Sequence, residues 1–384
     1  MKFTLNQAKI QHKKAKFRVT RQKFKIENKK SENLNFKIIR QKFKNLRQKG
    51  QDLKALALFS GGLDSMLAMK LITLQNIEVK ALHINIGFGG RTDKSTEMER
   101  RAKLVGADFE LVDTRSKYLQ EVLFSPRYGY GKHFNPCIDC HAFMFKTALS
   151  MLESEKAHFI ITGEVLGQRP MSQRGDAMNK VKALASENLG EDAAALILRP
   201  LCAKNLPPTK PEILGWVDRN KLEAISGRSR TRQLELAARF NFEDYESPGG
   251  GCLLTLQSFA DKIKDFKAYD DEMSVNDAQL LKFGRHLRLP NGAKMIIGRD
   301  ESENAHLQAL QTPKYEKIEL FELVGAFSLL SANADEKDLN LALKIALTYA
   351  KTNCAQSYKV GFKDKILSAK PFESKGEIQR FLVC

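Results

Sequence analysis

The 384-residue chain lacks any run of apolar residues that approaches the ~20 needed for a membrane-spanning helix. Its lysine-rich start is not followed by the apolar core of a signal peptide, so we expect a cytoplasmic protein with no membrane partner. Six cysteines are too few for a disulfide-stabilised scaffold in a chain of this size and expected location. We therefore interpret cysteines in this sequence as metal ligands or reactive thiols.

Acidic residues are almost missing from the first 50 positions. This segment has 17 lysine and arginine residues and 2 acidic residues, against 46 and 43 in the remaining 334 positions. The pattern in Phe17–Lys25 recurs in Phe36–Lys44. Cations interleaved with aromatic rings suit RNA, through phosphate contacts and base stacking. A solvated, disordered tail and a segment upstream of the true start of the protein remain alternative interpretations.

The length exceeds what one hydrophobic core usually serves, and 42% hydrophobic residues suffice for more than one core. Short apolar runs of the kind found in buried parallel strands alternate with helical stretches from residue 54 onward. The runs are Ala55–Phe59, Val79–Ile84, Phe109–Val112 and Phe159–Thr162, and the helical stretches include Asp93–Val105 and Phe143–Ser154. The pattern predicts an α/β fold, in which a parallel sheet has helices on both faces.

Changes in composition along the chain predict four segments. Residues 1–50 form a basic extension, residues 51–200 the α/β domain, residues 201–252 a proline-punctuated connection, and residues 253–384 a smaller α+β domain. Ligands of parallel sheets bind beyond the carboxyl ends of the strands. The loops after the first and fourth predicted strands can therefore share one pocket.

A glycine-rich loop follows the first predicted strand and lacks the lysine of a G-x-x-x-x-G-K-[ST] phosphate loop. It reads Ser60-Gly61-Gly62-Leu63-Asp64-Ser65, and we call it the glycine loop. Adjacent glycines let the backbone approach an anion, and the helix start that follows adds N–H donors and a positive dipole end. The sequence therefore predicts a phosphate site, with an ordinary turn before a helix as the alternative.

The glycine loop matches every fixed position of the S-G-G-x-D-S loop of the N-type ATP pyrophosphatases, or PP-loop proteins, which it resembles. The resemblance implies an adenine nucleotide alpha hydrolase-like fold for the first domain. It also implies ATP binding by Ser60, Gly61, Gly62, Leu63, Asp64 and Ser65, with Mg²⁺ on the phosphates. Asp64 is the residue of this loop for which we expect a catalytic role.

A second segment, Thr162–Gln173, has glycines that permit close approach and polar side chains that can bind a nucleotide. It is similar to the T-G-E-x-x-G-Q-x-x-S-Q run of the 4-thiouridine synthetases, a family of tRNA sulfurtransferases. The resemblance implies that Gly163 and Gln168 contribute to the ATP site. This chain has one extra residue in the run, around Arg169–Met171.

Cys137 and Cys140 form a Cys-x-x-Cys unit before a helix, which places two thiols within reach of one metal and near a helix end that lowers thiol pKa. The chain has no second Cys-x-x-Cys unit, but Cys252 lies in a glycine-rich turn farther on. The unit resembles elements of the tRNA 2-thiouridylases, whose matching cysteine at Cys140 is the reactive one, and of archaeal-type 4-thiouridine synthetases. We interpret Cys202, Cys354 and Cys384 as incidental.

Three roles remain open for Cys137, Cys140 and Cys252, which we call the cysteine cluster. They can ligate a [4Fe–4S] cluster with one free iron, an arrangement found in iron–sulfur tRNA thiolases that this chain resembles. Alternatively, Cys140 carries a persulfide that Cys137 or Cys252 resolves. The third interpretation is a set of buried, redox-silent thiols. On either of the first two interpretations all three cysteines are catalytic, and we expect them to converge at the mouth of the ATP pocket.

The C-terminal segment contains two strand-like pieces joined by a Pro-Asn-Gly turn within Phe283–Asn304. The run Ile297–Asn304 resembles the G-R-N-x-x-x-N core of the NFACT RNA-binding domain, with Asp300 in place of the first asparagine. The alternative is an accessory fold without RNA contact. A compact basic element at Gly227–Gln233 can contact RNA phosphates or can be a solvated helix start.

Together these motifs lead us to expect an ATP-dependent tRNA sulfurtransferase. The enzyme would adenylate the carbonyl oxygen of a tRNA uridine and then transfer sulfur supplied by a cysteine desulfurase or by sulfide. We expect 4-thiouridine as the product before 2-thiouridine. A PP-loop pyrophosphatase acting on a small molecule and a non-catalytic RNA-binding protein of the quality-control type are the two alternatives.

Overall fold

The computed structural model describes residues 52–190, 192–246, 251–310 and 312–383. These residues form two compact units. The parallel-sheet unit comprises the described residues of Met1–His83, Glu97–Glu110 and Met144–Ser247. The antiparallel-sheet unit comprises those of Ile84–Thr96, Leu111–Phe143 and Pro248–Cys384. In neither unit does the described chain contain a helix that is long and apolar enough to cross a bilayer.

Five strands of the described chain form one sheet in the order β3-β2-β1-β4-β5. The strands are β1 (Lys54–Leu58), β2 (Glu78–Asn85), β3 (Asp108–Asp113), β4 (Phe159–Thr162) and β5 (Ile197–Leu198). Strand β1 pairs in parallel with β2 and with β4, and β4 pairs in parallel with β5. Strand order reverses at β1, so the loops after β1 and β4 leave adjacent strands at the same sheet edge, which is where α/β proteins bind ligands.

Helices connect these strands, as parallel pairing requires. The connecting helices are α1 (Leu63–Thr73), α2 (Ser95–Leu104), α3 (Arg115–Tyr118), α4 (Cys137–Ser150) and α5 (Gly175–Ser186), and two further helices, α6 (Lys210–Ile213) and α7 (Thr231–Arg239), follow β5. Most of α1 is buried, from Leu63 to Ile72, because it packs against β1, β4 and α7. The predicted strands and helices are confirmed, with ends shifted by a few residues.

The core of the parallel-sheet unit draws on residues well beyond position 200. Leu201, Val217, Leu222, Leu236 and Phe242 are buried with the strands and α1 in one hydrophobic cluster. The segment that the sequence suggested as a connection thus supplies core residues to this unit. The domain boundaries themselves stay a prediction.

The antiparallel-sheet unit contains a six-stranded sheet in the order β11-β10-β8-β9-β7-β6 within its described residues. The strands are β6 (Arg285–Arg288), β7 (Lys294–Ile297), β8 (Tyr315–Leu320), β9 (Ser328–Ser331), β10 (Tyr358–Phe362) and β11 (Lys365–Ala369). The helices are α8 (Gln257–Tyr269), α9 (Val275–Leu280), α10 (Glu301–Ala309) and α11 (Glu336–Thr348). The expected fold class, a parallel α/β sheet followed by an α+β part, is confirmed.

The predicted Pro-Asn-Gly turn joins β6 to β7, with Gly292 at a φ of +96° that favours glycine. The buried Asp338 carboxylate of α11 accepts the backbone N–H groups of Asn291 and Ala293 at 3.1 and 2.9 Å. Because these bonds satisfy N–H groups of the turn, they fix α11 against the β6–β7 hairpin.

The residues of the NFACT-like run build the turn from β7 into α10. Asp300 is the N-cap of α10, and its side chain accepts the backbone N–H of Glu303 at 2.9 Å. The Asn304 amide oxygen accepts the Phe327 N–H at 3.1 Å and lies where a side chain on Gly298 would be. Asp300 can replace asparagine here because both residues cap helices well.

Candidate functional site

The glycine loop makes the turn from β1 into α1 as expected. Gly61 has a φ of +77°, and Gly62 is the extended N-cap residue of α1. The Ser65 hydroxyl donates to the Gly62 carbonyl at 2.7 Å, whereas Ser60 is exposed. The Leu63 side chain is 1% exposed in the core, so only its backbone is available to a ligand. The first-turn N–H groups of α1 lie at the loop and form a ready anion site.

Asp64 lies at the centre of a polar network. Its carboxylate accepts the Gln168 amide N–H at 2.7 Å and pairs with the Arg230 guanidinium at 3.3 Å. Gln233 in turn donates to the Gln168 side-chain oxygen at 2.9 Å. The structure therefore brings together Asp64 and Gln168, two residues that the sequence assigned to the same site.

Sequence reasoning missed Arg230 and Gln233 as members of this network. The basic element Gly227–Gln233 was recognised, but only as an RNA contact or a solvated helix start. In the structure Gln233 is fully buried, and its side-chain oxygen and the Arg230 Nε are buried without a hydrogen-bond partner. Buried polar groups are normally paired, so these two atoms indicate that a polar ligand completes the site.

Gly163 lies directly after β4 against the glycine loop. A Cβ at this position would be 2.5 Å from the backbone carbon of Asp64 and the backbone nitrogen of Ser65. Real Cβ atoms do not approach other atoms so closely, and both atoms belong to the start of α1. Glycine is therefore required because two backbone segments meet here.

The remaining polar residues of Thr162–Gln173 are held in place by protein contacts. Glu164 and Arg199 form a buried ion pair at 2.8 Å, and the Arg199 guanidinium also lies over the Phe145 ring. The extra residue of this run falls in an exposed turn at Arg169–Met171. Beyond that turn, the Gln173 carbonyl accepts the Gly167 N–H at 2.7 Å, so the chain returns to the site despite the insertion.

A second set of contacts holds the glycine loop from outside. The backbone N–H of Glu246 donates to the Gly61 carbonyl at 3.0 Å. The Arg101 guanidinium pairs with Asp244 and Glu246, each at 3.1 Å. The hydrogen bond from Arg101 lowers the pKa of the Asp244 carboxyl below its usual value. We call Asp244–Glu246 with Arg101 the loop strap.

The cysteine cluster belongs entirely to the antiparallel-sheet unit. Cys137 is the first residue of α4, Cys140 lies one turn later, and Cys252 precedes the short 3-10 turn Leu253–Thr255. The Asn135 amide donates to the Cys137 sulfur at 3.1 Å. The Leu253 N–H donates to the Phe88 carbonyl at 3.0 Å and positions the Cys252 turn.

The three thiols are close enough to influence one another. Burial raises the pKa of the Cys140 thiol well above its usual value, and the neighbouring Cys252 and Cys137 raise it further. The expected lowering of this pKa is therefore wrong for Cys140, because burial of the thiol raises the pKa instead. A thiol in such a place becomes a thiolate when it binds a metal cation.

Tyr118 is a residue of this site that the sequence did not reveal. It is fully buried, and its hydroxyl has no hydrogen-bond partner of ordinary geometry among the described residues. Its pKa is raised by burial and by interaction with Cys140, Cys252 and Cys137. No sequence signal could identify it, because a single tyrosine between Lys117 and Leu119 matches no motif.

Within the described chain, no group of three or more His, Cys, Asp or Glu side chains has the spacing of a single-ion site. This does not decide the iron–sulfur hypothesis, because the cysteines around a [4Fe–4S] cluster each bind a different iron and are spaced farther apart. Cys202 is buried and donates to the Glu164 carbonyl at 3.4 Å, Cys354 is exposed, and Cys384 lies outside the described residues. The position of the cysteine cluster relative to the glycine loop stays a prediction.

Two models of known protein families match this chain. Residues 50–226 match the ThiI family. The family model is described as "Thiamine biosynthesis protein (ThiI)", and it spans the glycine loop, the Cys-x-x-Cys unit and Thr162–Gln173. Residues 284–381 match the model described as "NFACT protein RNA binding domain". Both resemblances expected from the sequence are confirmed.

Relatives of this chain include curated thiouridylases. The "tRNA-specific 2-thiouridylase MnmA" of Petrotoga mobilis is 30% identical over 130 residues, which cover 29% of this chain and 35% of the relative. The same enzyme of Acidithiobacillus ferrooxidans is 30% identical over 119 residues, covering 29% of this chain and 34% of the relative. The chain thus spans about a third of the length of the curated relatives it matches.

Two solved structures align weakly with this chain. A 4-thiouridine synthetase–RNA complex with bound ATP is 17% identical, has a TM-score of 0.29, and covers 48% of this chain and 50% of its own. The C-terminal part of the fibronectin/fibrinogen-binding protein from Streptococcus suis is 13% identical, has a TM-score of 0.23, and covers 34% of this chain and 64% of its own.

Proposed function

We propose that this protein is an ATP-dependent tRNA sulfurtransferase that converts a uridine to thiouridine, with 4-thiouridine as the first choice and 2-thiouridine as the second. The observation that carries the proposal is the intact glycine loop, which lies in the region that matches the ThiI family and whose Asp64 is held by Gln168 and Arg230. The curated thiouridylase relatives support the same reaction class.

The reaction needs ATP because an oxide is a poor leaving group, whereas AMP is a good one. The uridine carbonyl oxygen forms a bond to the α-phosphorus of ATP, and the bond from that phosphorus to pyrophosphate breaks. A sulfur nucleophile then attacks the ring carbon that carries this oxygen, and the carbon–oxygen bond breaks to release AMP. The protein has to hold the leaving pyrophosphate and neutralise its developing charge.

The glycine loop provides these functions with few side chains. Backbone N–H groups at the start of α1 bind the phosphates, and Asp64 would hold Mg²⁺ together with phosphate oxygens. Arg230, whose side chain is 20% exposed, lies beside Asp64, and its buried Nε has no hydrogen-bond partner among the described residues. Its guanidinium can therefore donate hydrogen bonds to a phosphate when Mg²⁺ occupies the Asp64 carboxylate. Gly163 and Gln168 keep the loop and Asp64 in place.

We further propose that the cysteine cluster holds a [4Fe–4S] cluster. The donor set fits this group, because three mutually interacting thiols would repel one another as thiolates unless iron balanced their charge. The buried, unpaired Tyr118 hydroxyl beside them also points to a missing ligand. When bound, such a cluster supplies an open iron at which sulfide can be held. A persulfide on Cys140 is the alternative source of sulfur.

RNA is the proposed macromolecular partner. The match of residues 284–381 to an RNA-binding domain supports it. The basic extension 1–50 offers additional phosphate contacts by its charge alone, although it lies outside the described residues. Sulfide or a cysteine desulfurase would supply the sulfur.

Nucleoside analysis of tRNA tests the proposal. Cells that lack the gene should lose one thiolated uridine, and the wild-type gene should restore it. The Asp64→Asn gene should not, because the loop then lacks its Mg²⁺ ligand, whereas Asp108→Asn on exposed β3 should restore it fully. Chromatography separates 4-thiouridine from 2-thiouridine, which have equal mass. An unchanged nucleoside profile in the deletion strain would reject tRNA thiolation and favour a small-molecule substrate.

Iron analysis tests the cofactor separately. Protein purified without oxygen should be brown and carry about four irons per chain. Cys137→Ala, Cys140→Ala and Cys252→Ala should each lose iron and thiolation activity, and Cys354→Ala at an exposed position should keep both. Colourless, iron-free protein that still thiolates tRNA would reject the [4Fe–4S] cluster and leave the Cys140 persulfide.

A further inference from the structure

Tyr118 is held rigidly by aromatic neighbours. Its ring contacts Phe143 edge-on with centroids 5.6 Å apart and Phe88 at 5.9 Å. The backbone N–H of Tyr118 donates to the Thr114 carbonyl at 2.8 Å. The chain continues into a π-helical turn at Leu119–Leu123, a feature that occurs frequently at functional sites. The direction of the phenol is therefore fixed by packing.

The hydroxyl at the end of this ring is an anomaly in a folded protein. It is fully buried, and no hydrogen bond of ordinary geometry satisfies it within the described residues. A buried hydroxyl without a partner destabilises the fold, so a phenylalanine would serve packing better at this position. The hydroxyl therefore points to an acceptor that becomes strong only in another state of this site.

The groups that interact with this hydroxyl are the thiols of the cysteine cluster. After burial, the neighbouring Cys140, Cys252 and Cys137 raise the pKa of Tyr118, and among the three Cys140 has the largest effect. A neutral thiol is a weak hydrogen-bond acceptor, whereas a thiolate is a strong one because its acceptor atom is charged. The hydroxyl therefore gains a good partner only when the sulfur beside it is deprotonated.

Resting on the proposed function, we propose that the Tyr118 hydroxyl donates a hydrogen bond to the Cys140 sulfur when that sulfur is bound to iron or becomes a thiolate as a persulfide gives up its outer sulfur. Tyr118 is a positioning residue that stabilises negative charge on Cys140. In the iron-bound form this bond raises the reduction potential, because hydrogen bonds to sulfur favour the more negatively charged state. In the persulfide form it stabilises the thiolate that leaves when the outer sulfur is transferred.

Tyr118→Phe tests the bond, since it keeps the ring and removes only the hydroxyl. The matched control is Tyr130→Phe in the same unit, whose hydroxyl donates to the Leu123 carbonyl at 2.8 Å. In iron-loaded protein, Tyr118→Phe should lower the midpoint potential and abolish the shift of the iron–sulfur Raman bands in D₂O. Tyr130→Phe should match the wild type in both measurements, and circular dichroism checks that all three proteins are folded.

A second arm uses iron-free protein whose Cys140 is converted to the persulfide with polysulfide. Cyanide takes the outer sulfur as thiocyanate and leaves the Cys140 thiolate, and its rate should be about tenfold slower in Tyr118→Phe than in wild type. Equal rates in this arm, or equal potentials and D₂O shifts in the first, would overturn the role of Tyr118. If the wild-type protein takes up no iron, the cluster of the proposed function fails, and the cyanide reaction alone decides on Tyr118.

Discussion

Gly163 shows how one missing side chain sets the geometry of the candidate ATP site. The space that a Cβ would need is taken by the backbone of Asp64 and Ser65. The sequence predicted close approach at this glycine, but assigned it to the nucleotide. In the structure the approach is between β4 and the glycine loop, so the residue acts on the ligand through the loop.

We predict that Gly163→Ala weakens ATP binding by about tenfold or more, because the start of α1 has to move to admit the methyl group. The control is Gly175→Ala at the first residue of α5, where the nearest neighbour of a Cβ would be 4.0 Å away. This change should leave ATP binding unaltered and slightly favour the helix. Isothermal titration of ATP compares the variants, and equal affinities for Gly163→Ala and wild type would contradict the assigned contact.

For single residues, sequence reasoning finds glycines and cysteines that stand in a distinctive pattern. It misses residues of a common type that are distinguished only by their surroundings in the fold. The glycine loop and Cys137, Cys140 and Cys252 stand out because glycine and cysteine have few reasons to recur in such patterns. Arg230 and Tyr118 belong to common types. Their importance comes from buried atoms without partners, which only the fold reveals.

Among the elements, the loop strap connects α2 to the glycine loop. Arg101 on α2 is 8% exposed and pairs with Asp244 and Glu246, and the Glu246 N–H binds the Gly61 carbonyl. A depressed carboxyl pKa means that the folded state prefers the ionised form. Stability from the Arg101–Asp244 pair is therefore present above the unfolded pKa of aspartate, ~3.9, and is lost as pH falls through the lower folded pKa.

We predict that Arg101→Gln lowers the free energy of unfolding at pH 7 by on the order of 1 kcal/mol, a value limited by the solvent exposure of Asp244. The difference in unfolding free energy between Arg101→Gln and the wild type should become smaller as pH falls from about 5 to below 4. Lys103→Gln on the same helix, whose exposed pair with Glu99 is an ordinary surface pair, should cost less than ~0.5 kcal/mol. Urea unfolding across this pH range measures both, and a pH-independent gap would contradict the assigned pair.

Elements were predictable where local sequence determines them. The apolar runs of β1, β2, β3 and β4 and the Pro-Asn-Gly turn carry period and turn signals that need no tertiary contact. The two-residue β5 and the core role of Leu222 could not be predicted, because both depend on packing against strands distant in sequence.

The whole chain has a strongly unequal charge distribution. Nearly all of its net charge of +18 comes from residues 1–50, which lie outside the described residues. If this segment binds tRNA, its contribution depends on the release of counterions from the phosphates and therefore on salt.

We predict that deletion of residues 1–50 weakens tRNA binding at low salt and has little effect at high salt, so that the slope of log affinity against log salt becomes shallower. Replacement of the lysines and arginines of Phe17–Lys25 and Phe36–Lys44 by glutamine should reproduce part of the loss without shortening the chain. Filter binding of tRNA at several salt concentrations measures the slopes. Identical low-salt affinities with and without the segment would show that it is a passive tail.

The central position of β1 also has a consequence for synthesis of the chain. Ala55 of β1 is opposite Phe159 of β4, about 100 residues later in the sequence. A ribosome adds ~5–20 residues per second, so β1 and the glycine loop wait roughly 5–20 s for the strand that completes their surroundings. During that interval one edge of an apolar strand has no partner, which makes it a site for misassociation. The arrangement that places the candidate ATP site at the ends of β1 and β4 thus leaves this strand edge open to misassociation on the nascent chain until β4 has been made.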